Sequence, residues 1–376
     1  MSRMKFGDFA INCTEKKIPS PEDFATYIGL EHMDTKCLTI SRWGSDVPII
    51  GEKLIMHKGD ILLGKRNAYL RRAAIAPHDG IFSAHGMILR PKTNVVDYDF
   101  FALFIASDYF FDEAIRISVG SLSPTINWKD LKEIEFDIPS LEIQKQVSKS
   151  LWAINNTIES YKNLESLCDE MISSKMIEMF GSYKSKNANY RKLLDVCDFQ
   201  GGTQPPKKDW ISESRDGYIR MLQIRDFTQP EKNNIEFVKE TKVLKKCTED
   251  DILIARYGAS VGKILNGLSG AYNVAIMKSI PDTTIINKTY LKYYFLTDYF
   301  QSFLNIASSG RAAQAGFSKD DLEDAVIIVP SIKEQEKFVE FTNMIESLKI
   351  ELKASIDSLE KMYKKIFVKN MTIEEA

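Results

Sequence analysis

The sequence predicts an α+β protein in tandem duplication: two globular domains separated by two long α-helices that pair as an antiparallel coiled coil. Three observations predict it. The chain of 376 residues aligns with itself at an offset of about 191. Each copy opens with short β-like runs broken by Gly, Pro, Asn and Asp. Each copy then closes with about forty residues that lack proline and repeat at helical spacing.

The duplication rests on five collinear blocks. KGDILLGKRNA at 58–68 lies over EDDILIARYGA at 249–259, and Gly80-Ile81-Phe82 over Gly270-Ala271-Tyr272. Asp130-Leu131 falls on Asp321-Leu322, and Ile138-Pro139-Ser140 on Val329-Pro330-Ser331. Gln144 then falls on Gln335 and Ile154 on Ile345. The expected boundaries are a first domain at 1–140, its helix at 141–180, a second domain at 181–330 and its helix at 331–376. The runs DILLG, AAIAP and GMILRP, then DILIA, NVAIM and AVIIVP, are the candidate strands. The aromatic stretches at 97–115 and 289–307 read as helices whose rings belong to the core.

The helices follow from periodicity. Phe338, Phe341, Ile345, Leu348, Leu352, Leu359, Met362 and Ile366 recur at spacings of three and four, with Ser355 as the break. In the first copy the seam is Val147, Leu151, Ile154, Ile158, Tyr161, Glu165, Cys168 and Ile172. Ser140 and Ser331 stand where N-caps belong. At 1.5 Å per residue each helix spans about 58 Å. A lone helix of that length would expose its seam, so the two are expected to pair.

Hydrophobic residues make up 44% of the chain, which provides for a core. No apolar run approaches the roughly eighteen residues that cross a bilayer, and the N-terminus lacks a signal-like apolar core. No membrane association is therefore expected. Cys13, Cys37, Cys168, Cys197 and Cys247 are odd in number and far apart. They read as free thiols in a reducing cytoplasm.

Signals for catalysis are absent. Tyr257-Gly258-Ala259-Ser260-Val261-Gly262-Lys263 resembles a phosphate loop but has one residue too few between the glycines, and Ile264 follows the lysine. His32, His57, His78 and His85 lack metal-ligand spacing, so no metal is expected. Glu15-Lys16-Lys17 and Glu351-Leu352-Lys353 match only the common half of a nuclease motif. There is neither a GxSxG motif nor an Asn-Pro-Pro-aromatic tetrapeptide. The expectation is a chain without catalytic residues and without a cofactor of its own.

Signals for binding are stronger. Gly64 to Arg72 carries four cations and no acid, with Asn67 and Tyr69 between them. This stretch is either a solvated basic turn or a surface whose Arg and Asn reach base edges while Lys and Arg meet phosphates. The second copy has Arg256, Tyr257 and Lys263 in the corresponding place. Its Gln200–Lys208 segment reads as a loop that exposes backbone amides and ends in two lysines. Ser118–Trp128 and Ser308–Phe317 are polar loops that match in position and differ in composition.

This layout resembles, over essentially the full length, the specificity subunit of type I restriction-modification systems. IPSLEIQKQV (138–147) and VPSIKEQEKFV (329–339) are similar to that family's Pro-Pro-Leu-x-Glu-Gln entry into its helices, with Pro-Ser in place of Pro-Pro and Ile143 opposite Glu334. FQGGTQPPK (199–207) is similar to the Gly-x-Thr-Pro opening of its target-recognition domains, an opening the first domain lacks. The resemblance implies that the globular domains are target-recognition domains, each reading one half of a bipartite site in double-stranded DNA. It implies helices that set the unread spacer and dock methyltransferase subunits, which carry S-adenosylmethionine and methylate adenine. A restriction motor-nuclease subunit would complete the complex. Carried over by position, Lys65, Arg66, Tyr69, Arg71 and Arg72 are the expected first-half contacts. Thr203, Gln204, Arg256, Tyr257, Lys263, Arg311 and Gln314 are those of the second half. Two other readings stand beside this one: a specificity subunit whose partner fuses methyltransferase and nuclease, and a coiled-coil scaffold that binds proteins only.

The formal charge is −2, from 50 cations and 52 anions, which argues against a free-standing holder of a polyanion. The division is uneven. Residues 1–140 carry 17 cations and 19 anions, 141–180 carry 4 and 6, 181–330 carry 21 and 18, and 331–376 carry 8 and 9. The helices are acidic, the second domain is basic, and the first gathers its positive charge at 65–72. Tight DNA binding is therefore expected to need the partner subunits.

Overall fold

The computed structural model of the chain describes residues 1–181, 190–230, 234–309 and 316–371. Two compact units divide it. The first holds residues 1–163 together with 352–376, and the second holds 164–351. Each unit thus contains a globular body and a part of both long helices.

In the first unit, Ala10–Cys13, Gly86–Pro91, Ile61–Gly64 and Ala73–Ile75 form a four-stranded antiparallel sheet in that spatial order. Gly86–Pro91 and Ile61–Gly64 are the hydrophobic inner strands; Leu62, Leu63, Ile88 and Leu89 are fully buried. A second sheet runs Lys16–Lys17, Lys53–Met56, Gly80–Phe82, Tyr27–Ile28, with its last pair parallel. Ser2–Lys5 pairs with Glu135–Ile138 and ties the start of the chain to the strand that leads into the first long helix. Helices Tyr98–Ala106 and Asp108–Arg116 are capped by Asp97 and Ser107, whose side chains accept from the Phe100 and Phe110 amides. Their aromatic residues are core, as the sequence predicts: Phe100, Phe101, Phe104, Phe110 and Phe111 are 0% exposed.

The second unit repeats this plan. Cys197–Gly201, Ile276–Pro281, Leu253–Ala255 and Ile264–Leu265 form the equivalent first sheet. The second sheet runs Phe237–Lys239, Tyr218–Leu222, Gly270–Tyr272, Lys246–Cys247. Its parallel pair is Tyr218–Leu222 with Gly270–Tyr272, matching the parallel pair of the first unit. Tyr190–Lys192 pairs with Val326–Ile328. Tyr290, Tyr294, Phe295 and Phe300 take the place of the phenylalanine core.

The long helices span Leu141–Phe180 and Ile332–Met371, forty residues each. Gly181, at φ 83°, ends the first with its amide on the Ile177 carbonyl, a left-handed stop that suits glycine. At the start of the second, Ser331 and Glu334 form a reciprocal capping box; Ile143 leaves the first copy without that side-chain partner. Gln144 and Gln335 are 0% exposed and make the same three bonds. The Gln144 amide donates to the Pro139 and Val95 carbonyls and its oxygen accepts from the Asp97 amide at 2.7 Å. Gln335 does so with Pro330, Ile285 and Asn287. Each glutamine therefore clasps a helix start to the body before it.

The seam of the first helix is buried or half-buried along its predicted length. That of the second departs from expectation. Leu348 and Met362 are 44% and 49% exposed, while Thr342, Lys349, Ile356 and Tyr363 turn inward one position later. Ile356 fills the break that Ser355 left in the predicted series. In the first unit, Val147 and Leu151 share one core with Phe367 and Met371. In the second, Phe180 meets Phe338 at 5.7 Å between ring centroids, and Lys349 reaches Asp169 at 2.6 Å.

Candidate nucleic-acid interface

Both units build the same turn after the strand Ile61–Gly64 or Leu253–Ala255. In the first, Asn67 (φ 56°) and Arg71 (φ 46°) are left-handed and flank a 3-10 turn at Ala68–Leu70. The second places Gly258 (φ 70°) and Gly262 (φ 82°) at the equivalent positions. The glycines that resemble a phosphate loop thus supply the two left-handed residues of this turn. The Gly64 amide bonds to the Arg72 carbonyl and the Ala255 amide to the Lys263 carbonyl, both at 2.9 Å. The polar loop ahead of the first long helix docks on its turn, where Ile126 donates to the Lys65 carbonyl, and at the described end of its counterpart Phe317 donates to the carbonyl of Arg256. Arg66 bridges Thr125 as Tyr257 bridges Gly316.

The strain is concentrated here. Among the described residues, the non-glycine residues with positive φ are Lys36, Asn67 and Arg71. The Lys36 amide donates to the Arg71 carbonyl at 3.2 Å, so all three belong to one small region. Left-handed backbone costs about 1–2 kcal/mol for such residues. Side chains offset it. Arg71 bonds Asp108 at 2.9 Å and Asp112 at 2.6 Å, and Asp108 also pairs with Lys36 and, at 3.3 Å, with Lys364. Burial alone would raise the Asp108 carboxyl, but hydrogen bonds from Lys36 and Lys364 hold it below its ordinary value. In the second unit Gln301 secures the corner instead, donating to the Gly262 carbonyl at 3.0 Å.

The expected contact residues are brought together in part. Lys65 is half-buried on the turn; burial, then the charge of Lys16, pushes its ammonium down. Arg66 is exposed, with its Nε on Ser123 at 2.9 Å, and Tyr69 is 56% exposed. The Arg72 Nε is buried and lacks a hydrogen-bond partner. The Arg71 guanidinium is held by two carboxylates within the unit. In the second unit Lys263 and Gln204 are exposed. Arg256 donates to the Phe317 and Val274 carbonyls and lies over the Tyr257 ring, 5.1 Å from its centroid. Arg311 and Gln314 lie outside the described residues.

The Gly201-Gly202-Thr203 segment corrects another expectation. Its amides are not free: Gly202 donates to the Ile276 carbonyl and Thr203 to that of Tyr272, both at 3.0 Å. A Cβ on Gly202 would stand 2.1 Å from the Asn273 carbonyl oxygen, so glycine lets the chain pass over this corner. Thr203 accepts from the Lys245 amide at 3.3 Å. Beyond it, Lys207 sits over the Trp210 ring at 3.8 Å. The sequence reading did not single out Ser123, Asp108 or Asp112, whose roles arise from contacts remote in the chain. Among the described residues no group of His, Cys, Asp or Glu is placed to hold a metal, and no helix is long and apolar enough to cross a membrane.

The same turn thus recurs in both bodies, with left-handed corners at Asn67 and Arg71 in the first and at glycines in the second, and with different side chains on each, which marks an internally duplicated α+β protein. Comparison with known proteins gives the family. A model described as the type I restriction modification DNA specificity domain matches residues 25–167 and again 185–361, so the chain belongs to the family of type I restriction-modification specificity subunits. It is 24% identical over 313 residues to the type I restriction enzyme MjaIX specificity subunit of Methanocaldococcus jannaschii, covering 76% of this chain and 70% of that protein. It is 28% identical over 154 residues to the EcoDI specificity subunit of Escherichia coli, covering 39% and 34%. In fold it is similar to the type I system S subunit from M. genitalium, with a TM-score of 0.55 and 13% identity over 99% of this chain and 96% of that one. A chain from a study of complex assembly and conformational transition of the type I system gives 0.51, with 17% identity over 98% and 97%.

Proposed function

We propose that each globular body reads one half of a bipartite site in double-stranded DNA through its duplicated turn and the polar loop docked on it. The observation that carries this reading is the turn itself: one backbone, two left-handed corners, two different sets of side chains. Such a scaffold fixes register while its side chains differ between half-sites. In the first half, Lys65 and Arg72 suit phosphates as half-buried cations at the two ends of the turn. Arg66 and Tyr69 are the exposed groups suited to bases, and Arg71 holds the turn. In the second half, Gln204, Tyr257 and Lys263 are the contacts, with Thr203 and Arg256 joining the loops; Arg311 and Gln314 are proposed from sequence alone.

The long helices pair antiparallel as a coiled coil, set the spacer between half-sites and dock the methyltransferase subunits. This chain contributes recognition, while its partners bind S-adenosylmethionine and transfer methyl to adenine, and a motor-nuclease subunit completes restriction. Contacts inside each unit support the pairing, since Val147 and Leu151 meet Phe367 and Met371, and Phe180 meets Phe338.

The test is adenine-methylation mapping by sequencing with and without this chain, followed by the triple variant Lys65→Ala, Arg66→Ala, Arg72→Ala in the methyltransferase complex. The complex should assemble, its affinity for the mapped site should fall, and the salt slope should lose about one unit per phosphate contact removed. Unchanged affinity and slope would refute the first-half assignment.

A further inference from the structure

Val119 and Thr125 exchange both backbone hydrogen bonds, at 3.0 and 2.9 Å, and close a five-residue loop with Leu122 at its apex. Leu122 is 96% exposed, the most exposed large hydrophobic residue among the described residues. The loop beneath it is tightly held. Ser123 donates to the Asn67 side-chain oxygen at 2.8 Å and accepts from the Arg66 Nε at 2.9 Å. The Pro124 carbonyl accepts from the Ala68 amide at 3.1 Å, and Gly120 turns the chain at φ 112°. A leucine on a floppy loop would be unremarkable; here rigid polar contacts hold one out into solvent.

Its surroundings say what it meets. Residues 118–127 contain no charged side chain, and residues 64–72 contain four cations and no acid. The nearby carboxylates Asp108 and Asp112 are already engaged by Arg71, Lys36 and Lys364. Cations and hydroxyls around a projecting apolar tip match the two faces of a duplex, with phosphates outside and stacked bases within.

We infer that Leu122 is an apolar wedge that enters the base stack at the first half-site, opening a base step while Lys65 and Arg72 hold the flanking phosphates. Small apolar wedges of this kind unstack a step and kink the duplex, so the ease of opening that step becomes part of sequence recognition. The inference deepens the proposed reading of the first unit and rests on it.

The experiment uses the assembled methyltransferase complex and its mapped site, with 2-aminopurine placed in turn at each position of the first half-site. Wild-type complex should raise the fluorescence several-fold at one step. Leu122→Ala should abolish that rise and weaken target binding about tenfold, with non-specific DNA binding unchanged; Leu122→Met should keep the signal. Because the side chain is exposed, thermal melting of the Ala variant should match wild type. If no step brightens with wild type, or the brightening survives Leu122→Ala, the wedge is overturned. Lys65→Ala/Arg66→Ala separates the two levels. Loss of affinity in that variant beside an unaffected Leu122→Ala removes the wedge alone. Unchanged affinity and salt slope in both removes the first-unit reading as well.

Discussion

Arg71 shows how contacts remote in the chain distinguish side chains that look alike in sequence. In the string Lys65-Arg66-Asn67-Ala68-Tyr69-Leu70-Arg71-Arg72 all four cations look alike, and nothing local distinguishes them. The partners that do so, Asp108 and Asp112, are 37 and 41 residues away. That Lys65, Arg66 and Tyr69 share one turn was legible, because they are neighbours in the chain. Arg71 also carries left-handed backbone, which the equivalent Gly262 adopts without a Cβ clash. Two substitutions separate these roles. Arg71→Ala loses the ion pairs and keeps the strain, whereas Arg71→Gly loses the ion pairs and relieves it. Urea denaturation should therefore find the Gly variant more stable than the Ala variant by about 1 kcal/mol.

At the scale of elements, the two glutamines explain why the Pro-Ser-x-x-x-Gln pattern occurs twice. Each is a buried amide that satisfies three backbone groups at the junction of body and helix. Replacing Gln335 by Ala leaves the Asn287 amide and the Ile285 and Pro330 carbonyls unpaired in a dry site. Equilibrium unfolding should show a loss of about 2–4 kcal/mol, and Gln144→Ala should lose a similar amount. An effect below about 0.5 kcal/mol in both would show that water replaces the clasp. The helices themselves, their bounds and the first seam were readable from periodicity. The second seam was misread on alternate positions because hydrophobicity favours Phe341, Leu348 and Met362. Burial instead follows what faces each position: Lys349 is drawn inward by Asp169, and Glu346 receives the Tyr293 hydroxyl at 2.7 Å. A polar residue with a partner can occupy a seam, and a heptad count does not register it.

At the scale of the whole molecule, the duplication made the architecture readable. It predicted two similar bodies before any contact was known. The first sheet recurs in the same order of equivalent strands, and the second keeps its three-strand core but carries its fourth strand on the opposite edge. Two predictions belong here. Inserting one heptad into both long helices at matching depth adds about 10.5 Å, so methylation mapping should find the spacer longer by about three base pairs. An unchanged spacer would refute the ruler. The overall balance of 50 cations against 52 anions gives this chain a formal charge of −2, with no net attraction to a polyanion. Fluorescence anisotropy at physiological salt should therefore detect weak DNA binding by the chain alone and tight binding once methyltransferase subunits are added.

The division into units bears on how the protein is made. The second unit is one uninterrupted stretch, whereas the first is completed only by residues from 352 onward. Phe367 and Met371 share a core with Val147 and Leu151, so that side of the first unit lacks its cover when it leaves the ribosome. The missing piece follows about 190 residues later, an interval of about 10–40 s at ordinary elongation rates. During that wait the second unit is translated in full and can close its own core. The unit that begins the chain is thus the last to be finished, and its open apolar face is where a nascent-chain chaperone has most to protect.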